Sequence, residues 1–200
     1  MSSTRTWKVA VAALVVAVVA SGCGSVAPGA AAVVGEDRIS ERDLTEQVEA
    51  VLRAQGRPVD SSAESVVDTT LSQLVTASLV EQYAEREGIS VDQGEIDAAA
   101  ASVVAASGGE EALAQSLLQQ DLAPDQLESL LRVNLLVQKI GQALDPAGTP
   151  ESQSSSVFLA IVDFSDEVGT QVNPRYGTWD SMNLAIGPTA DDLSVPFTAS

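Results

Sequence analysis

Histidine is absent from this chain of 200 residues, and cysteine occurs once. The first absence removes every Cys/His metal cage and every His-based acid–base pair. The second excludes a disulfide within the chain. Aromatic residues make up only 4%, so a core has to be built from Ala, Val, Leu and Ile. Basic residues are scarce: 10 Lys and Arg stand against 28 Asp and Glu, a net charge of −18. So acidic a chain repels phosphate backbones, which sets nucleic acid aside as a partner. Apolar residues are plentiful at 45%, enough for a folded domain and too many for a disordered one.

The chain opens with Arg5 and Lys8, then an unbroken apolar run from Val9 to Ala20. That run is well short of the roughly 20 residues a helix needs to cross a bilayer. A positive start, a short apolar run and small residues at its end predict a secretory signal peptide. The run closes on Val19-Ala20-Ser21-Gly22-Cys23, so the single cysteine follows the small residues directly. This arrangement resembles a bacterial lipobox. The resemblance implies a diacylglyceryl group on the Cys23 thiol and cleavage in front of it. Residues 1–22 are then a lipoprotein signal peptide, and the mature protein sits on the extracytoplasmic face of the cell membrane. Two acyl chains on one residue hold firmly where one chain is marginal. Without the resemblance, the segment reads as an ordinary cleaved signal or a short uncleaved anchor with an incidental cysteine. Removal of 1–22 leaves 8 basic and 28 acidic residues, a net −20. Residues 23–30 (Gly24 to Gly29 is Gly-Ser-Val-Ala-Pro-Gly) read as a flexible tether.

The body, residues 31–180, reads as mainly α with a minimal β element. Ala31–Val34, a turn at Gly35-Glu36-Asp37 and Arg38-Ile39 predict a short hairpin. Ser40 with Asp43 has capping-box spacing, and Leu44, Val48, Val51 and Leu52 share one helical face. Ser61 with Glu64 repeats that start for a long helix to about Glu87. Asp92 with Glu95 opens an Ala-rich helix to about Ala106, whose small side chains suit close helix approach. A fourth helix spans roughly Glu110–Gln120. A fifth follows Pro124, with Leu127, Leu130, Val133, Val137, Ile140 and Leu144 on one face. Residues 147–156 read as a linker. Val157, Ile161, Phe164 and Val168 predict a sixth helix, and residues 181–200 an irregular tail.

The order of these junctions resembles a SurA-like N-terminal chaperone domain. The resemblance rests on Ala31-Ala32-Val33-Val34-Gly35 before Arg38-Ile39-Ser40, on Gly88-Ile89-Ser90-Val91-Asp92 before Glu95-Ile96, on Leu122-Ala123-Pro124 before Leu127, and on Asn173-Pro174-Arg175-Tyr176-Gly177-Thr178-Trp179-Asp180. It implies about six helices, with Ala32–Val34 meeting the segment near 171–173. It also implies an extracytoplasmic folding helper that cradles unfolded polypeptides. Many relatives carry a parvulin prolyl-isomerase domain of roughly 100 residues between the helical pieces. The stretch between the fifth and sixth helices is far too short for one, and the parvulin site also relies on His.

Catalytic signatures are wanting. No Gly-x-Ser-x-Gly elbow and no Asp-x-Asp-x-Asp-Gly loop occurs. Carboxylate neighbours such as Glu110-Glu111 and Asp191-Asp192 fit solvated helix faces in so acidic a chain. The Asn173–Asp180 run concentrates Tyr176, Trp179 and Arg175. It offers either a lip for client side chains or a clasp that seals the domain. No cofactor, metal or catalytic residue is expected. The expected function is weak, reversible binding of unfolded or newly exported polypeptides by a lipid-anchored lipoprotein. The alternative is a fixed-partner scaffold subunit of a cell-envelope complex.

Overall fold

The computed structural model describes residues 26–59, 64–120 and 122–187. Cys23, the leader, Ser61 and residues 188–200 lie outside the described residues. The chain runs through β1 (Ala30–Val34), β2 (Asp37–Ser40), α1 (Glu41–Ala54), α2 (Glu64–Arg86), α3 (Gln93–Ser107), α4 (Glu110–Leu118), α5 (Leu127–Leu144), α6 (Pro150–Val168), β3 (Gln171–Val172), β4 (Thr178–Asp180) and β5 (Ala185–Gly187). Among the described residues the fold is mainly α, with six α-helices.

Two helix starts show why these segments become helices here. Ser40 Oγ accepts from the Asp43 amide at 3.1 Å, and the Asp43 carboxylate accepts from the Ser40 amide at 3.4 Å. Asp92 and Glu95 make the same reciprocal pair at 3.0 Å each. Each box satisfies two backbone donors that a helix otherwise leaves open.

The β element closes the chain on itself. β1 lies between β2 and β3, antiparallel to both. Ala32 pairs with Val172 and Val33 with Gln171. The Asn173 amide N–H donates to Ala31 O at 2.8 Å, and its side chain donates to Ala30 O at 3.1 Å. Ala30, placed at the end of the tether by sequence, is already buried strand.

α2 is the axis. Its residues Leu71, Val75 and Leu79 are fully buried among α1, α5, α6 and β1. Tyr83 meets Phe164 of α6 edge-on, with ring centroids 5.6 Å apart. Arg86 lies over both rings at 4.9 and 4.6 Å and reaches Glu167 at 2.9 Å. Otherwise the core is aliphatic, as the shortage of aromatics requires.

The structure differs from the sequence reading elsewhere too. Residues 150–156 are helix rather than linker. Thr149 caps α6 by accepting from the Ser152 amide at 3.3 Å, and Pro150 occupies the first turn, where its missing N–H is harmless. Residues 181–187, read as the start of an irregular tail, form a turn and strand β5 paired with β4. The Ile186 amide donates to Ser72 Oγ at 2.9 Å, which fixes β5 against α2. The Ala-rich helix α3 does pack closely against α4 and α5, yet it fully buries only Ile96 and leaves most of its alanines at the surface.

Candidate binding groove

An open cavity of about 620 Å³ runs along the outer side of α2. α2 contributes Leu74, Ala77, Ser78 and Glu81, while α5 contributes Leu130, Val133 and Asn134. Asp37, Arg38 and Ile39 of β2 and Leu184 of the β4–β5 turn complete the rim. Leu74, Ala77 and Glu81 share one helical face by their spacing, and so do Leu130 and Val133. Leu74, Leu130 and Val133 are half-buried and open to the groove, and Leu74 and Val133 pack beneath against the core. At one end Gln126 donates to Gln47 at 3.0 Å, bridging the α5 entry to α1.

A second cavity of about 410 Å³ continues toward the α2–α3 link. Ala84, Ile89, Val91 and Leu136 give it an apolar lining, with Glu85 and Arg132 beside them. Glu81 lines both cavities. Crowding by the protein pushes its carboxyl above the usual carboxylate range. The Asp37 charge adds to that shift, and Arg132 opposes it.

The rim is held by specific contacts. Asp37 accepts from Ser78 Oγ and from Gln82 Nε2, both at 3.0 Å. Gln82 also donates to Val34 O at 2.9 Å, tying α2 to the end of β1. At the far end Lys139 Nζ donates to Ser90 O and to Glu95, both at 2.7 Å. This clamp joins α5 to the link and to the first turn of α3.

Arg175, Tyr176 and Trp179 do not line the groove. Trp179 Nε1 donates to Ser165 Oγ at 2.8 Å, and Ser165 is buried in α6. Arg175 lies 3.1 Å from Glu41 and stacks beside the Tyr176 ring at 5.1 Å. Tyr176 and Trp179 are half-buried against the core. The groove residues themselves went unnoticed in the sequence. Leu74, Leu130 and Val133 carry the same periodic signal as buried positions, and Glu81 is one of 28 acidic residues.

The arrangement is a groove with an apolar floor and a polar rim on a helical domain, and among the described residues there is no group of His, Cys, Asp and Glu suited to a metal. The SurA-like N-terminal domain family matches residues 2–141. That span is more than half of the chain, and the chain belongs to this family. No curated protein and no solved structure matches it.

Proposed function

We propose that this protein is a lipid-anchored extracytoplasmic lipoprotein that binds unfolded or newly exported polypeptides without catalysis. The observation that carries the reading is the open groove along α2, with apolar side chains in its floor and a hydrogen-bonded polar rim. Such a surface suits segments that are apolar but varied, because the floor attracts without a fixed code. Family membership supports a chaperone-like role. The lipobox-like run ending at Cys23 supports attachment to the membrane, and a body with net −20 stands off an anionic surface on its tether. Partners are therefore polypeptides, with the membrane reached only through Cys23.

The test is suppression of aggregation. At a stoichiometric ratio, the protein slows light scattering by an unfolded client, and Leu130→Asp with Val133→Asp removes the effect. No slowing by the wild-type protein refutes the reading. Anchoring is checked separately: labelled palmitate enters the wild-type product and not Cys23→Ala.

One observation favours the scaffold alternative. Phe158 and Leu159 on α6 are 42% and 62% exposed, away from the groove. A single stoichiometric partner in a pull-down, lost on Leu159→Ser, selects that alternative over a broad set of unfolded chains.

A further inference from the structure

Glu81 stands where the two cavities meet. It makes no hydrogen bond or ion pair among the described residues, although most cations nearby are committed elsewhere. Arg38 donates to Pro28 O, Arg132 lies 3.7 Å from Glu128, and Arg86 serves Glu167. The charged groups around Glu81 are Asp37 on β2, Arg38 beside it, Glu85 one turn on along α2, and Arg132 on α5. The Glu81 carboxyl is exposed at that junction, and Arg132, whose charge reaches it, lies 3.7 Å from Glu128 rather than in an ion pair with Glu81. Ala77 and Leu74 extend from it along one helical face, opposite Leu130 and Val133. An occupant of that floor places its own side chains beside this carboxylate.

We propose that Glu81 anchors a Lys or Arg side chain carried by an otherwise apolar, extended polypeptide segment lying in the groove. The proposal rests on the polypeptide-binding reading above and adds its selectivity. Charge complementarity identifies the occupant. A carboxylate at the meeting of two cavities, with no hydrogen bond or ion pair among the described residues, favours a cation, and the surrounding acidic body raises the local concentration of basic segments. An acidic segment meets Asp37, Glu81 and Glu85 together and is repelled.

The experiment uses full-length protein and three fluorescein-labelled 13-residue peptides of Ala, Leu, Val and Ser. The central residue is Lys, norleucine or Glu, and binding is read by anisotropy at low salt. The Lys peptide is expected to bind about three- to fivefold tighter than the norleucine peptide, the scale of a partly exposed ion pair. Glu81→Gln is expected to erase that preference. Glu81→Lys is expected to move the preference to the Glu peptide, while Glu111→Gln, on α4 and outside both cavities, keeps it with Lys. Equal binding of all three peptides by wild type overturns the anchor and leaves the groove reading standing. An undiminished Lys preference in both Glu81 variants overturns it as well. Binding of none of the peptides overturns both readings. Thermal unfolding followed by circular dichroism confirms that each variant is folded.

Discussion

Thr70 is 2% exposed, and its hydroxyl has no partner among the described residues. A buried hydroxyl without a partner forfeits its water and gains nothing in return. Thr70→Val keeps the shape and removes the orphan. It is expected to raise stability by about 1 kcal/mol in urea unfolding; a loss of stability shows that the hydroxyl is satisfied. Trp179 poses the opposite case. Its indole N–H closes a chain in which Trp179 donates to Ser165 and Ser165 donates to Thr170 at 3.0 Å. Trp179→Phe keeps most of the ring and leaves the Ser165 oxygen without that donor. The expected cost is about 1–2 kcal/mol of stability, with peptide affinity unchanged. A variant with native stability and weakened peptide binding assigns Trp179 to a lip rather than a clasp.

Elements were legible where their signals are local. Ser40–Asp43 and Asp92–Glu95 announce helix starts because the caps are made by residues three apart. The first turns of α6 carry such a signal too, in Thr149 and Pro150, but residues 151–156 (Glu-Ser-Gln-Ser-Ser-Ser) offer no apolar period to confirm it. The helix stands there because α6 packs along α5, with Val157 beside Gly141. The β4–β5 hairpin was illegible for a related reason. Its strands are three residues each, too short for alternation to register, and α2 supplies their docking surface. The groove was least legible, since its floor joins α2 to α5 across about fifty residues of sequence. Gly177 gives the hairpin a test. Its φ is +122°, and a Cβ there would run into the carbonyl oxygen of Gly187 on the paired strand. Backbone cannot swing aside as a side chain can. Gly177→Ala is expected to cost about 2 kcal/mol or more and to expose the 178–187 segment to rapid amide exchange. Unchanged exchange there removes this account of the hairpin.

At the scale of the whole molecule, acidity and closure dominate. Hydrogen bonds from Lys139 and from the Asp92 amide hold Glu95 below the usual carboxylate range. A carboxylate depressed in the folded state contributes stability that is fully present above its unfolded value and lost as pH falls through its folded value. The Lys139 clamp is therefore expected to act above about pH 5 and to fade below it. Lys139→Met should flatten the acid limb of a stability profile below about pH 5; an acid limb as steep as wild type denies the clamp that role. Closure extends past the family match, which ends at residue 141. Val157, Ile161, Phe164 and Val172 all belong to the one core.

The place of β1 in the middle of its sheet governs when the molecule can form. A chain made from its N-terminus delivers β1 early, with β2 and α1 immediately behind it. Its other neighbour, Gln171–Val172, emerges about 140 residues later. Until then one side of β1 has no backbone partner, and the buried alanines 30–32 have no lid. Such long-range closure makes final assembly a late event. Synthesis therefore proceeds on a chain that has yet to lock.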